Sequence, residues 1–203
     1  NLLPEAHLRD YLAARAGVKS VRDFPLLWAL GEDLPGAIRI VSADGESWPK
    51  DDAKVNLDVS DENTPLRFSL AGVQLKFSAL MEASGGLTIP TRGVGGHWII
   101  KLPSNTYAAV PENEFAMMTL ASKVGIDVPD IKLVDLAEID GLPEGIGSLT
   151  GQAFAIRRFD RTESSSVHIE DFAQIYGVYP DRKYEKASYR NIADVVWIET
   201  GEV

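Results

Sequence analysis

The chain contains no cysteine, which excludes a disulfide framework and any thiolate-held metal and fits a reducing compartment. Its histidines, His7, His97 and His168, lie far apart in sequence and lack any metal-ligand spacing, so a histidine-based metal site is not predicted. No GxSxG elbow is present, and no nucleophile stands beside a histidine in a hydrolase arrangement. No window approaches the roughly 18 uninterrupted apolar residues of a membrane helix, and no basic-then-apolar leader opens the chain. The expectation is a cytoplasmic protein without membrane contact. Basic residues are in deficit, with 20 Lys and Arg against 30 Asp and Glu, a formal charge of −10. A duplex binder must bring many cations to phosphates, so any DNA contact is expected to be local or through a partner. An initiating methionine is also missing: the chain opens on Asn1, and Ile198 to Val203 read as a helix just begun, so the sequence reads as an excerpt.

What is present suits a globular protein. The 203 residues are 45% apolar and 25% charged, enough for one substantial core or two smaller ones. Leu8, Leu12, Arg15 and Ala16 keep a helical period after Pro4, with Gly17 placed for a left-handed cap. A second short helix is predicted from Asp23, with Pro25 in its first turn and Leu26, Leu27 and Leu30 buried, stopping at Gly31. Ala37 to Val41 reads as a strand, and Ser42 to Asn63 as a polar surface connector. From Leu66 the pattern turns β-like. Phe77 to Met81, Leu87 to Ile89 and Trp98 to Leu102 are separated by glycine-rich turns and predict an antiparallel meander. A helix is predicted over Glu112 to Val124, strands over Ile131 to Leu136 and Phe154 to Phe159, and helices beyond residue 166, the last starting from a Ser188 cap. The four tryptophans, at 28, 48, 98 and 197, are too scattered for a binding platform and read as packing residues. The fold class is α+β, in which a β-rich lobe containing one helix and followed by an α-rich segment has the layout of a protein-kinase N-lobe, among other α+β domains. The predicted divisions are 1–63, 64–161 and 162–203.

Two stretches could carry chemistry. In Arg67 to Lys76, Ala71-Gly72 leaves the main chain bare, so successive N–H groups can approach phosphate oxygens, and Lys76 can add a charge. On spacing alone the same residues also make a hairpin turn with a surface lysine. In His97-Trp98-Ile99-Ile100-Lys101-Leu102, alternation sets Trp98 and Ile100 on one face and Ile99 with Lys101 on the other. A lysine beside isoleucine in an inner strand needs an anion or a route to solvent. In kinases such a lysine contacts the α- and β-phosphates and is held by a helix glutamate. Glu114 is the nearest candidate, in the first turn of the helix that follows, and Glu112 the alternative. Ser69 reads as a turn hydroxyl, of interest if the turn binds nucleotide. Phe154 to Arg161 runs an apolar strand into a charged connector, where a kinase hinge would bond an adenine edge and stack it on an aromatic such as Phe159. The bland reading makes Phe154 and Phe159 core residues and Arg158 to Asp160 a surface ion pair.

Phe68 to Phe77, Trp98 to Pro103, Glu112 to Phe115, Ile156 to Arg161 and Glu170 to Gln174, the last followed by Gly177 and Lys183-Tyr184, together resemble the HipA family. Its members are bacterial toxin serine/threonine kinases of toxin–antitoxin systems. The resemblance implies that Ala71, Gly72, Val73, Gln74, Leu75 and Lys76 form the ATP phosphate loop, that Lys101 binds phosphates, and that Arg157, Arg158 and Phe159 form the hinge near adenine. It implies that Ser69 is autophosphorylated as an off switch. It further implies a DNA-binding HipB-like antitoxin as partner, DNA reached through that complex, and a protein substrate such as glutamyl-tRNA synthetase. ATP and Mg²⁺ are the implied cofactors, with the catalytic Asp/Asn/Asp set and the metal ligands expected downstream of residue 203, so no catalytic or metal residue is assigned in this chain. Leu75 and Arg157 depart from the family pattern, standing where acidic residues can occur. Ile169 to Val203 contain no catalytic loop; Asn191 and Asp194 read as a polar helix face. The chain alone is therefore expected to be inactive, and a non-catalytic module binding an antitoxin or another partner is the alternative.

Overall fold

A computed structural model of the chain describes residues 2–46, 74–83, 85–90, 96–104, 106–142, 149–186 and 188–201. Ser69, Ala71, Gly72, Val73, Trp48 and most of the polar connector lie outside the described residues. There are two compact units, Leu2–Val167 and His168–Val203. The connector after residue 157 continues through a tight turn, in which Val167 N–H donates to Asp160 O at 2.9 Å and Arg161 bridges Ser166.

The first unit opens with α1 (Ala6–Ala16), whose Gly17 cap takes φ 68°, the left-handed region that glycine enters without a Cβ clash. α2 (Asp23–Leu30) buries Pro25, Leu26 and Leu30, while Leu27 stays half-buried. Leu8, Leu12, Ala13, Val18, Leu26 and Leu30 form one core cluster, each fully buried leucine contributing about 1.5–3 kcal/mol. Gly31 does not end α2 in a left-handed cap; its φ is −62° and the chain winds on as a short 3-10 turn through Asp33. Close approach explains this glycine: a Cβ there would lie 2.5 Å from Ile40 O. Ile40 N–H donates to Gly31 O at 2.8 Å, so the segment predicted as a strand over residues 37–41 lies against the helix end and forms no strand. Its backbone finds a partner in that glycine carbonyl, not in a neighbouring strand.

The sheet has six strands in the order β4-β6-β3-β1-β2-β5: β1 (Lys76–Met81), β2 (Leu87–Thr88), β3 (Trp98–Lys101), β4 (Ile131–Asp135), β5 (Ile139–Asp140) and β6 (Gln152–Arg157). The predicted meander is corrected. β1 and β2 form the hairpin, but β3 returns to the other side of β1. β5, which periodicity did not reveal, pairs in parallel with β2. A three-residue turn, Leu136–Glu138, joins β4 to β5, yet these strands occupy opposite edges of the sheet. So short a link forces the sheet to curl until its edges approach, and Lys132 of β4 accordingly donates to Gly85 O in the β1–β2 turn at 2.9 Å. Phe77, Ala79, Trp98, Ile100, Val134, Ala153 and Ala155 fill one face as core. Tyr11 and Leu75 pack against both clusters, joining the N-terminal helices to the sheet. α3 (Val110–Lys123) starts two residues before the predicted helix because Pro111 is accommodated in its first turn.

The second unit is helical. α4 (Phe172–Ile175) and α6 (Tyr189–Thr200) each begin with a reciprocal capping box, Asp171 with Gln174 and Ser188 with Asn191. α5 (Lys183–Lys186) lies between them. Residues 198–200 are the last turn of α6, not the start of a helix, because Gly201 takes φ 71° as its cap. Tyr176 Oη donates to Asn191 O at 2.5 Å, so Asn191 serves the helix start and its packing. Trp197 is more than half exposed, against the expectation of a packing role.

Candidate functional site

Lys101 ends β3, whose burial alternates as the sequence pattern requires, with Trp98 and Ile100 inward. Its register partners are Lys76 on β1 and Phe154 on β6, and cross-strand partners share a face. The ammonium stands 5.6 Å from the centroid of the Phe154 ring, a cation–π distance, and forms an ion pair with Glu114 Oε2. Because α3 begins at Val110, Glu114 lies in its second turn and faces the sheet, whereas Glu112 in the first turn is exposed. The pair is half-open: the two side chains are 27% and 28% exposed. An ammonium has three donors, and among the described residues this one donates to a single carboxylate.

The ladder between β1 and β3 extends past both strand ends. Leu102 N–H donates to Leu75 O, and Gln74 Nε2 donates to Leu102 O, each at 2.9 Å. Gln74 and Lys76, the end of the predicted phosphate loop, are thereby held alongside Lys101. The Leu75 side chain packs against the core clusters, so only its main chain is available to a ligand.

The connector after β6 differs from the sequence reading. Arg157 N–H donates to Asp130 O and Arg158 N–H to His97 O, both at 2.8 Å, so neither amide is free for a base. The Arg157 side chain pairs with Asp130 in solvent at 3.3 Å. Arg158 to Asp160 is not a surface ion pair. Arg158 is 2% exposed and Asp160 5%, while Phe159 between them, in the turn just past β6, is 70% exposed. Arg158 Nε and Nη2 hold Asp160 at 2.9 and 2.7 Å, while Nη1 reaches Asp33 Oδ1 at 3.2 Å and Ser78 Oγ at 2.9 Å. Arg161 completes the cluster, contacting Asp33 at 3.0 Å and Asp160 at 2.8 Å. Burial alone would lower the Arg158 pKa; the Asp160 hydrogen bonds and the Asp33 charge overcome it and raise the pKa. Burial likewise pushes the Asp160 carboxyl up, but the Arg158 hydrogen bonds and charge hold it below its ordinary value. Sequence reasoning missed the cluster because Asp33 lies 125 positions upstream of Arg158; the legible signal was two charges flanking one aromatic.

An open groove of about 690 Å³ lies between residues 127–130 and the connector, lined by Phe159 and Arg157 but not by Lys101. Among the described residues no group of three or more His, Asp or Glu side chains could hold a metal ion, and no helix is long and apolar enough to cross a membrane.

A family model described as the HipA-like C-terminal domain matches residues 68–202, and one for the HipA N-terminal domain matches residues 1–41. The chain belongs to the HipA family. It is 58% identical over 202 residues to the putative kinase Y4dM of Sinorhizobium fredii, covering 98% of this chain and 49% of that protein. Over 208 residues it is 31% identical to putative kinase Y4mE of the same organism, covering 90% and 46%. The serine/threonine-protein kinase toxin HipA of Shewanella oneidensis is 26% identical over 227 residues, covering 96% and 46%. A solved structure of the Shewanella oneidensis toxin–antitoxin complex of HipA, HipB and operator DNA matches with a TM-score of 0.59 and 26% identity, covering 96% of this chain and 47% of that one. The chain spans about half the length of the curated relatives it matches. Mixed α+β architecture and a kinase-type N-lobe are what this HipA likeness supports.

Proposed function

We propose that the chain forms the nucleotide-binding part of a HipA-type serine/threonine kinase. The single observation that carries this is Lys101, half-exposed at the end of an inner strand, paired with Glu114 on the helix behind it and aligned with the end of the loop at Gln74 to Lys76. The arrangement fits a polyphosphate, because a lysine fixed by a carboxylate keeps donors for phosphate oxygens. In this reading the Ala71 to Lys76 main chain and Lys101 orient the phosphates, Glu114 holds Lys101 in place, and Phe159 offers a face to adenine. Arg157 and Arg158 act by main-chain placement, since their amides and side chains are engaged elsewhere. Transfer breaks the bond between the γ-phosphorus and the bridging oxygen of ATP, releasing ADP, and forms one to a serine Oγ, whose proton passes to an aspartate expected beyond residue 203. Mg²⁺ would be held by ligands expected there too, and would neutralise charge on the phosphates. Phosphorylation of Ser69 would place a dianion beside the phosphate loop and switch transfer off. The HipB in the Shewanella complex supports a HipB-like antitoxin as partner, with DNA met through it.

The test uses the protein expressed from its complete reading frame. Lys101→Ala should lower ATP-dependent serine phosphorylation about a hundredfold or more, the scale of losing one donor to transition-state charge. A variant that phosphorylates as fast as wild type removes the assigned role. Failure of the wild-type protein to bind Mg-ATP by calorimetry would favour the non-catalytic partner-binding module.

A further inference from the structure

We propose that Asp33 is a positioning residue for the nucleotide base: from the N-terminal helical segment it locks, through Arg158 and Asp160, the connector that presents Phe159. The proposal rests on the nucleotide-binding reading above and adds to it a role for a segment outside the sheet.

Three observations combine. First, the connector is clamped on both sides of the aromatic. Arg158 and Asp160 are buried, and Phe159 between them is 70% exposed, so the turn that carries the ring is pinned by a buried charge on either side of it. Second, the clamp is supplied from the N-terminal segment. Asp33 accepts from Arg158 at 3.2 Å and from Arg161 at 3.0 Å, Gly36 N–H donates to Asp160 Oδ2 at 2.9 Å, and Arg161 donates to Leu34 O at 2.8 Å and Gly36 O at 2.7 Å. Third, the cluster is tied to the sheet: Ser78 Oγ donates to Asp33 Oδ2 at 3.1 Å and accepts from Arg158 Nη1 at 2.9 Å. Gly96 permits that seam, since a Cβ there would fall 2.7 Å from Ser78 Cβ and 2.6 Å from Ala79 N.

A buried ion cluster is a weak source of stability, because desolvation offsets most of the attraction, but it fixes geometry when every donor is directed. Here Nε, Nη1 and Nη2 of Arg158 all donate inside the cluster, which denies that side chain to a ligand and leaves its fixed direction as the property passed to Phe159. An exposed aromatic carried on a fixed main chain can cover a flat ring, and preorganisation of that main chain removes part of the ordering cost from binding.

The test is calorimetry on the full-length protein with two probes, Mg-ATP and inorganic tripolyphosphate, which lacks the base. Asp33→Asn keeps the shape and deletes the charge. It should weaken ATP about tenfold, within the range of one lost stacking contact, and change tripolyphosphate affinity by less than about twofold. Phe159→Ala should give the same selective loss, and the double variant little more, because the two act through one contact. Equal weakening of both probes by Asp33→Asn would make the residue merely structural and overturn the proposal. Wild-type ATP affinity in Asp33→Asn beside a weakened Phe159→Ala would also overturn it while sparing the nucleotide-binding reading. Wild-type protein that binds neither probe would remove both. If Asp33→Asn does not fold, Ser78→Ala is measured by the same criteria, with an expected selective loss of about threefold.

Discussion

Two charge clusters occupy one face of the curled sheet, and their difference separates architecture from function. Lys76 and Ser78 alternate along β1 toward that face: the first lies opposite Lys101, and the second bonds the Asp33 and Arg158 side chains. At the Ser78 end two aspartates and two arginines close on one another, with Arg158 and Asp33 side chains 0% and 4% exposed. At the Lys101 end one ammonium meets one carboxylate in partial contact with water. A sealed, fully bonded cluster has no capacity for a ligand and reports how the chain is held. A half-open pair with donors in reserve can accept an anion, which is the arrangement a phosphate site requires.

The largest expected effect tests that division directly. Arg158→Met leaves two buried carboxylates sharing one cation, Arg161, and should destabilise the protein by about 3–5 kcal/mol, the cost of removing one partner from a buried ion pair. Glu114→Gln, at the open cluster, should cost no more than about 1 kcal/mol, as for solvent-screened pairs. Urea unfolding of the two variants measures both. Equal losses would mean the clusters do not differ in kind.

Acid gives an intermediate effect. The folded pKa of Asp160 is depressed by Arg158, below an unfolded value of about 3.9. Its stabilisation is complete above that unfolded value and is lost as pH falls to the folded one, because between the two values only the unfolded chain binds the proton. Arg158 stays charged throughout. The urea midpoint of the wild type should therefore fall more steeply below pH ~4 than that of Asp160→Asn, which lacks the titrating group. Parallel acid limbs would show that Asp160 titrates in the folded protein as it does in the unfolded chain.

The contrast also marks what a sequence can disclose. α1, α3 and the inner strands were legible from Gly17 and the spacing of apolar residues, because caps and periodicity are local. The Lys101–Glu114 pair was legible too, since only 13 positions separate its members. The buried cluster was not, because Asp33 lies 125 and more positions from its arginine partners and a surface pair and a buried one share the same letters. β5, two residues long, is too short for alternation to register. Its parallel pairing with β2 follows from the tight link to β4 and the curl of the sheet, which are properties of the whole fold. The Asp171–Gln174 capping box was written in the sequence at the expected spacing and could have located α4.

The smallest expected effect concerns how firmly the open pair is held. α3, which carries Glu114, begins after Ala109 at φ 55° with no side-chain cap. An L-residue there costs about 1–2 kcal/mol, whereas glycine avoids that strain and gives back part of the gain as unfolded-state entropy. Ala109→Gly should therefore stabilise the protein by roughly 0.5 kcal/mol. At about 2–4 °C per kcal/mol this is a rise in Tm of about 1–2 °C, readable by calorimetry, with the acid limb unchanged because the substitution lies apart from Asp160. A fall in Tm would mean that the turn before α3 gains more from alanine's restriction of the unfolded chain than it loses to strain.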